Sequence, residues 1–509
     1  MNKKTLITLT ALTLTAGATM VANEPEAGFE ESTTADDQAD TRLNPELGAP
    51  TPVTVETPSH YRFLNLDANR IIMNGASWQS LADDLRAARQ SGQVVNIVHI
   101  GDSHTQADGN TGQVRSHLQS TFGNAGRGLM SPLRIAGTNQ PLDYTITTVA
   151  PVTTGTLMRN GSGLPMGFTG VAVKPGVALA TFTVSVPKSP FNSIDIFASK
   201  PVTVTAVTTD GTRGVDWDTR ATDYGASVTL GAEYTKVAVT VRTDGATVYG
   251  FSATNSGRGG VRYHSIGNNG ATYGSYSAIA DEGRSLASLH PDLVIVSLGA
   301  NEAYGKVSDA AFRNQIDGLV REIRSHNPNA RILLTTPAES QRRVTTRRRR
   351  KGRRRRYTTT TTYQVNQNVK RLRNVILEYG RDNGIPVYDF YAVAGGDGSS
   401  KHWIQNGLMS RDRIHRTWKG YYLEGDLLYQ ALIQQLGMPP IETGTIESTP
   451  VESQHAQPMV QPKAPATDAG TVSKKRNNSR VSATTKKKKR KVTKRSGRKN
   501  KKKTARRRR

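Results

Sequence analysis

Short apolar runs alternate with amphipathic stretches along most of the chain, and this alternation predicts a mixed α/β fold. Four runs are almost continuous in Val, Ile and Leu, which is typical of strands covered on both faces of a parallel sheet. These runs are residues 94–100, 293–298, 332–334 and 385–390. Apolar residues at helical spacing, with Ser77 and Ser308 as expected N-caps, predict helices over residues 77–92, 111–122, 308–323, 365–379 and 417–437.

Residues 141–254 follow a different pattern, in which Thr, Val and Ala alternate in short runs between Gly, Asp and Asn. This predicts a small all-β, sandwich-like domain. Because α/β strands lie on both sides of it, we expect an insertion into the α/β domain. The α/β domain would then consist of residues 59–140 and 255–438.

The two ends of the chain differ from this body. Residues 1–22 combine two lysines with a Leu/Thr/Ala run and small residues, which predicts a secretory signal peptide. A membrane anchor is disfavoured because the run is rich in Thr and short for a bilayer of about 30 Å. Residues 23–58 and 439–509 lack apolar periodicity and are predicted to be a disordered linker and tail. We therefore expect an exported protein of the periplasm or outer envelope that is not an integral membrane protein.

The net charge of +27 is concentrated in two segments. Residues 342–356 contain 11 Lys and Arg, and residues 474–509 contain 21, without Asp or Glu in either segment. The rest of the chain therefore has a net charge of −5, which gives no basis for a DNA-binding surface there. We expect the first segment to be an exposed loop, either simply solvated or attracting an anionic polymer. The tail would bind anionic glycans or lipid head groups, and nucleic acid only nonspecifically.

A candidate nucleophile follows the first predicted strand, in the sequence Gly101-Asp102-Ser103-His104. Ser103 should lie at the carboxyl edge of the sheet, where ligands bind in open α/β folds. For this short motif alone, a turn serine that caps a helix is the commoner explanation.

A candidate base precedes the last predicted helix, in the sequence Asp412-Arg413-Ile414-His415. In a turn, this spacing lets the Asp412 carboxylate bind one imidazole nitrogen of His415 while the other faces a hydroxyl. A loop histidine with a salt-bridged neighbour is the commoner explanation for any single such motif. The combination with a serine at a strand end is more specific.

Two further segments offer hydrogen-bond donors at the same edge. Asn301 follows the second apolar run, and its amide can donate to an oxyanion. The turn from Gly267 to Gly270 precedes a predicted helix and can present a backbone N–H. Either segment can also be merely a turn.

These four segments, in this order, resemble the conserved blocks of the SGNH (GDSL-like) hydrolases. Gly-Asp-Ser-His-Thr, the later Gly126-Arg127-Gly128 and the inserted β module are similar to the bacterial peptidoglycan O-acetylesterase branch. The resemblance spans about residues 61–437. It implies a flavodoxin-like three-layer α/β/α domain with a mostly parallel sheet, and acetyl esters on glycans as substrates.

The resemblance also implies roles for individual residues. Ser103 would attack the ester, His415 would move the proton and Asp412 would orient His415. The oxyanion would be bound by the backbone N–H groups of Ser103 and Gly270 and by the side chain of Asn301. Gly267 competes with Gly270 for this role, and Glu302 replaces the family's commoner Asp.

No cofactor or metal is expected. The chain has no cysteine, and its histidines form no spaced ligand set with carboxylates. The predicted function is therefore that of an exported serine esterase removing O-acetyl groups from an envelope polysaccharide, most plausibly peptidoglycan. The alternatives are an esterase for another acetylated polysaccharide or a lipid-like ester, and a non-catalytic protein that binds envelope glycans.

Overall fold

The computed structural model describes residues 56–209, 213–279, 282–349 and 357–438. The predicted signal peptide, almost all of the predicted linker and the predicted tail lie outside these residues. Among the described residues, no helix is both long enough and apolar enough to cross a membrane.

The described chain contains helices and strands in nearly equal share. In chain order, the strands are β1 (Ile71–Ile72), β2 (Val94–Gly101), β3 (Gly128–Met130), β4 (Thr145–Thr148), β5 (Val152–Thr156), β6 (Val171–Pro175), β7 (Leu179–Ser185), β8 (Phe191–Ala198), β9 (Thr203–Thr209), β10 (Arg213–Gly214), β11 (Trp217–Thr222), β12 (Gly225–Tyr234), β13 (Lys236–Arg242), β14 (Val248–Thr254), β15 (Gly260–Gly267), β16 (Leu293–Ser297), β17 (Arg331–Thr335), β18 (Gln341–Arg349), β19 (Tyr357–Val365) and β20 (Val387–Tyr388). The α-helices are α1 (Gln79–Ser91), α2 (Ser103–Gln106), α3 (Gly109–Phe122), α4 (Tyr273–Ser277), α5 (Glu282–Leu286), α6 (Asp309–His326), α7 (Gln367–Asp382), α8 (Phe390–Val393), α9 (Ser399–Gln405) and α10 (Trp418–Gln435).

A central sheet has the strand order β1-β20-β17-β16-β2-β15 within the described residues. Its pairs are parallel except for the edge pair β1 and β20, which is antiparallel. Since β2 lies between β16 and β15, the chain segments that follow these three strands emerge side by side at the carboxyl edge of the sheet.

Helices cover both faces of this sheet because alternate strand residues point in opposite directions. Val95 and Ile97 of β2 pack with apolar side chains of α1, α3 and α10 in one buried cluster. Val98 and Ile100 pack with α4, α6 and α7 in another. The result is the mixed α/β fold in three layers that the sequence predicts.

Three of the four predicted strands are confirmed as β2, β16 and β17. The fourth is shorter than expected: only Val387 and Tyr388 pair, because Phe390 already begins a helix. The predicted helices are also present. Helix α1, however, has Trp78 and not Ser77 as its N-cap, and Val365 ends a strand instead of opening a helix.

Two antiparallel sheets are formed by the chain between β2 and β15. One has the order β10-β9-β13-β7-β4, and the other has the order β11-β12-β8-β14-β6-β5 with β3 also paired to β14. Side chains from both sheets, including Phe182 and Ile196, form one hydrophobic cluster. The alternation of buried and exposed residues along β7 explains why Thr and Val alternate there.

The basic segment at residues 342–356 corrects one expectation, because much of it is not a loop. Strands β18 and β19 pair in an antiparallel hairpin, from Gln341 opposite Val365 to Arg349 opposite Tyr357. Thr-rich sequence favours extended strands, and the five threonines of β19 pair with residues 344–348 of β18. Residues 350–356 lie outside the described residues.

Candidate active site

Ser103 lies at the point where β2 ends and α2 begins. The preceding residue, Asp102, is the N-cap of α2, and its Oδ1 accepts a hydrogen bond of 2.9 Å from the backbone N–H of His104. This turn directs the chain away from the sheet directly after the central strand. Ser103 therefore lies at the carboxyl edge, as predicted.

The structure brings Ser103, His415 and Asp412 together. Ser103 Oγ lies 2.8 Å from His415 Nε2, and His415 Nδ1 lies 2.6 Å from Asp412 Oδ2. This arrangement fits a serine hydroxyl that donates to one ring nitrogen while the other ring nitrogen donates to the carboxylate. Residues from opposite ends of the described chain thus form one continuous hydrogen-bonded relay.

Asp412 is fixed by further hydrogen bonds. Its Oδ1 accepts from the backbone N–H groups of Ile414 and His415, at 2.8 and 3.0 Å, and from the Ser410 hydroxyl at 2.7 Å. Desolvation raises the pKa of Asp412, but the hydrogen bond and charge of His415 outweigh it and hold the pKa well below its usual range. The carboxylate is therefore ionised across the neutral pH range.

The pKa of His415 moves in the opposite direction. Desolvation lowers it, but the hydrogen bond to Asp412 and the charges of Asp412 and Asp102 outweigh that effect and raise the pKa above its ordinary value. An imidazole tuned in this way accepts a proton readily, as a general base requires.

The predicted oxyanion donors lie close to this relay. The amide of Asn301 donates to the backbone carbonyl of Ala271, beside Gly270, at 2.9 Å and to Asp102 Oδ2, beside Ser103, at 3.2 Å. These bonds link the three segments at the sheet edge. They also use both N–H groups of the Asn301 amide.

The two candidate glycines have different environments. Gly267 is the last residue of β15 and pairs with Gly101 of β2, whereas Gly270 lies in the following turn. Within the described chain, the backbone N–H of Gly270 makes no hydrogen bond. The geometry therefore favours Gly270 over Gly267 as a donor to a bound group.

Several polar residues of the site were missed from the sequence. Gln106, on the same helix as Ser103, accepts from the backbone N–H of Asn269 at 2.6 Å and donates to the side chain of Asn139 at 2.7 Å. It thereby ties the Gly270 turn to α2. Ser410 was also missed, although its place two residues before Asp412 in a tight turn is a usable signal.

A small cavity of about 60 Å³ lies beside the relay, with Asp102, His104, Arg416 and Glu424 among its lining residues. Burial raises the pKa of Asp102 to about 6 and also raises the pKa of Glu424. Desolvation and the charge of His415 lower the pKa of His104 well below its ordinary value. His104 is therefore neutral beside the catalytic candidate His415.

The other histidines have local partners. Hydrogen bonds join His99 to the side chains of Tyr263 and Ser297, His117 to Asp426, and His264 to the backbone N–H of Leu129. In the part of the chain that the structure describes, no group of three or more His, Asp or Glu side chains is placed to hold a metal ion.

The family comparison matches this arrangement. Residues 224–423 match the model of the GDSL-like Lipase/Acylhydrolase family. The chain carries an SGNH-type hydrolase domain. The matched range includes Gly270, Asn301, Asp412 and His415, and Ser103 precedes it.

One of the solved structures that match this chain shares its overall fold. A peptidoglycan O-acetylesterase structure matches with a TM-score of 0.56 and 23% identity, over 72% of this chain and 97% of that chain. A lipase/acylhydrolase from Enterococcus faecalis matches with a TM-score of 0.25 and 23% identity, over 36% of this chain and 80% of that one. A carbohydrate esterase family 3 protein from Talaromyces cellulolyticus matches with a TM-score of 0.25 and 14% identity, over 36% and 76%. No curated protein matches the chain significantly. The family match and the fold support an SGNH carboxylic ester hydrolase.

Proposed function

We propose that this chain is an exported serine esterase that removes O-acetyl groups from an envelope polysaccharide, namely peptidoglycan. The observation that carries the proposal is the relay from Ser103 through His415 to Asp412, at the carboxyl edge of the sheet. The fold shared with a peptidoglycan O-acetylesterase supports the choice of substrate.

The proposed reaction begins when Ser103 Oγ attacks the carbonyl carbon of the acetyl group while His415 Nε2 takes the hydroxyl proton. The carbonyl oxygen becomes an oxyanion. As this intermediate collapses, His415 returns the proton to the sugar oxygen, which leaves as an alcohol and leaves Ser103 acetylated. Water then attacks the acetyl-enzyme in the same way, and acetate is released.

The oxyanion would be bound by the backbone N–H groups of Ser103 and Gly270 and by the amide of Asn301. Since both N–H groups of that amide already donate, one bond must be exchanged when the oxyanion forms. The bond to Asp102 is the longer of the two, at 3.2 Å against 2.9 Å for Ala271. We therefore assign the exchange to Asp102. Each donor of this kind contributes about 3 kcal/mol to catalysis.

In this proposal, residues 141–254 form an inserted all-β domain that positions the glycan. The shared hydrophobic core of the two antiparallel sheets supports an independent folding unit. The match over 97% of the peptidoglycan O-acetylesterase chain supports a common arrangement beyond the α/β layers. The predicted tail would hold the enzyme on anionic envelope polymers.

The assembled relay favours an enzyme over a non-catalytic glycan-binding protein, because three polar side chains have no structural need to align in this way. An esterase for another acetylated polysaccharide or for a lipid-like ester would use the same residues. Only natural substrates distinguish these possibilities.

The test is acetate release from O-acetylated peptidoglycan, measured beside an acetylated xylan and a long-chain ester. We expect the native protein to release acetate from peptidoglycan fastest and Ser103→Ala to release none. Ser116→Ala removes an exposed serine of α3 and serves as the matched control. Acetate release by Ser103→Ala at the native rate would refute the nucleophile, and a faster reaction on xylan or the long-chain ester would refute the substrate.

A further inference from the structure

The basic hairpin of β18 and β19 is joined directly to the loop that holds the candidate base. The backbone N–H of Gln341 donates to the carbonyl of Arg413 at 3.0 Å, and the Arg413 guanidinium donates to Gln341 Oε1 at 2.9 Å. The same guanidinium stacks on the ring of Tyr363, 3.9 Å from its centroid. Arg413 lies between Asp412 and His415 in the sequence. The end of the hairpin at Gln341 is therefore bonded directly to the loop that carries the relay.

One face of the hairpin continues outward from this junction. Because side chains alternate along a strand, Gln341, Arg343 and Arg347 share a face. Their cross-strand partners Tyr363 and Thr359 lie on that face too. Arg343 and Arg347 are exposed, and no Asp or Glu occurs between Ser340 and Asn366.

A groove of about 680 Å³ lies where this face meets the relay loop. Tyr363, Ser410, Arg411, Arg413 and Thr417 are among the residues that line it. Ser410 is also a hydrogen-bond donor to Asp412. The groove therefore holds two guanidinium groups, those of Arg411 and Arg413, on either side of Asp412 in the sequence, and that of Arg413 already contacts Gln341 and Tyr363.

We propose that this groove and the Arg343 face of the hairpin form a binding site for the carboxylate groups of the glycan whose ester is cleaved. The inference rests on the proposed function and adds how the glycan chain of the substrate is recognised. Guanidinium groups bind carboxylates with two parallel hydrogen bonds. Peptidoglycan offers this chemistry, since its peptides end in free carboxylates beside the sugar chain.

Charge complementarity selects this occupant over a neutral glycan. Within residues 56–438, the part outside 342–356 has 32 Lys and Arg and 29 Asp and Glu, a net charge of +3, whereas residues 342–356 have 11 Lys and Arg and no acidic residue. Positive charge is therefore most concentrated at the hairpin, and an anionic glycan chain is favoured there. Because the arginines are exposed, salt should weaken the interaction.

The test uses the full-length protein and two versions of one short, soluble O-acetylated peptidoglycan fragment, with free carboxylates or with amidated carboxylates. The readout is the ratio of kcat/KM for the free over the amidated fragment. We expect a ratio of about five at low salt, the scale of two exposed ion pairs, decreasing as salt is added.

Three double variants test which residues cause that ratio. Arg343→Gln with Arg347→Gln should lower the ratio clearly towards one, because only Arg411 and Arg413 of the groove remain, whereas Arg343→Lys with Arg347→Lys should keep most of it. Arg321→Gln with Arg324→Gln removes the same charge from the last turns of α6, whose C-terminal end lies at the opposite edge of the sheet, and should leave the ratio unchanged. The tail is the same in every chain compared.

A ratio near one for the native protein, or an unchanged ratio in the double Gln variant, would overturn the inference while leaving the esterase intact. If neither fragment is hydrolysed, the proposed function fails, and calorimetry then compares the affinities of the two fragments. A several-fold tighter binding of the free fragment that is lost in the double Gln variant supports the site, and equal affinities overturn it.

Discussion

His415 contacts a hydroxyl on one side and a carboxylate on the other, and the carboxylate controls its proton affinity. The raised pKa of His415 depends on Asp412, whose hydrogen bond and charge outweigh the desolvation of the ring. Hydrolysis requires the neutral imidazole as base. Activity should therefore increase as the pH rises through this raised pKa, which lies above the ordinary value of 6.5.

Asp412→Asn tests this coupling. The variant should lose about 10³- to 10⁴-fold in kcat, because the neutral amide neither stabilises the imidazolium nor holds the correct tautomer. The acid limb of the remaining activity should move to lower pH, since the charge that raises the His415 pKa is gone. Rates on a small acetyl ester across the acid and neutral range measure both effects. An acid limb that stays in place would show that another group controls the base.

Glu302 is a second titratable group at the site, one residue after Asn301. It is buried, and its Oε1 accepts from the backbone N–H of Tyr273 at 2.8 Å. Within the described chain, its Oε2 has no hydrogen-bond partner. Burial raises the pKa of Glu302 to about 7, so the folded protein favours the protonated form.

This shift predicts how stability depends on pH. Between the ordinary pKa of 4.5 and about 7, the folded state binds more protons at Glu302 than the unfolded state does, so stability falls as the pH rises through that interval. Glu302→Gln keeps the acceptor for Tyr273 and removes the ionisation, which should stabilise the protein at pH 8 by about 3 kcal/mol. Denaturant unfolding at pH 5 and pH 8 measures the difference. Equal gains at both values would contradict the assignment to ionisation.

The three residues of the relay were predictable because each belongs to a short motif with fixed local spacing. Gln106 was not, since its role depends on Asn269 and Asn139, which only the fold brings near. The two hydrogen bonds donated by the Asn301 amide could not be predicted either, because its partners Asp102 and Ala271 come from other segments of the chain.

At the scale of elements, β15 positions the serine helix through close contact. A Cβ atom on Gly267 would lie 2.2 Å from the backbone nitrogen of Gln106, whereas a Cβ atom on Gly270 would meet only Met158 at 3.6 Å. Gly270 has a φ of +79°, so a substitution there strains the backbone but leaves its N–H in place.

The two glycines should therefore respond differently to Ala. Gly267→Ala should displace α2 and lower both kcat and the melting temperature. Gly270→Ala should retain most activity and lose roughly 1–2 kcal/mol of stability, the cost of a left-handed residue with a side chain. Kinetics on a small acetyl ester and thermal unfolding of both variants provide the comparison. Greater loss of activity in Gly270→Ala than in Gly267→Ala would reverse this assignment.

Elements with continuous apolar runs were predictable, and those without were not. Strand β15 contains the polar residues Arg262, His264 and Ser265, which interrupt its apolar run. The sequence therefore did not predict this strand, although it pairs with β2 along its whole length. A loop was predicted in place of the hairpin because the dense charge of this segment conceals its strand propensity. In the structure, β18 pairs with the Thr-rich strand β19.

At the scale of the whole molecule, the larger of the two basic segments lies far along the sequence from the last described residue. The last described turn ends at Met438, whose backbone N–H donates to the carbonyl of Ile433. The 21 Lys and Arg of residues 474–509 follow much later in the chain. The proposal that the tail binds anionic polymers therefore predicts that adhesion and stability are separable.

A chain that ends at Met438 should have the melting temperature of the native protein and the same rate on a small acetyl ester. Its cosedimentation with peptidoglycan should be weaker and less sensitive to salt, because the screened charges of the tail are absent. A matched chain ending at residue 473 keeps the part of the tail before the basic segment, which has a net charge of −3. Strong, salt-sensitive binding by both shortened chains would contradict a role for the tail.

The parallel pairing of β2 with β15 brings together strands that the two antiparallel sheets separate in sequence. During synthesis the candidate nucleophile Ser103 emerges 312 residues before the candidate base His415, with the sheets between them. A chain interrupted before residue 412 holds a serine that nothing activates. Under the proposed function, ester hydrolysis therefore reports that the chain has folded beyond His415.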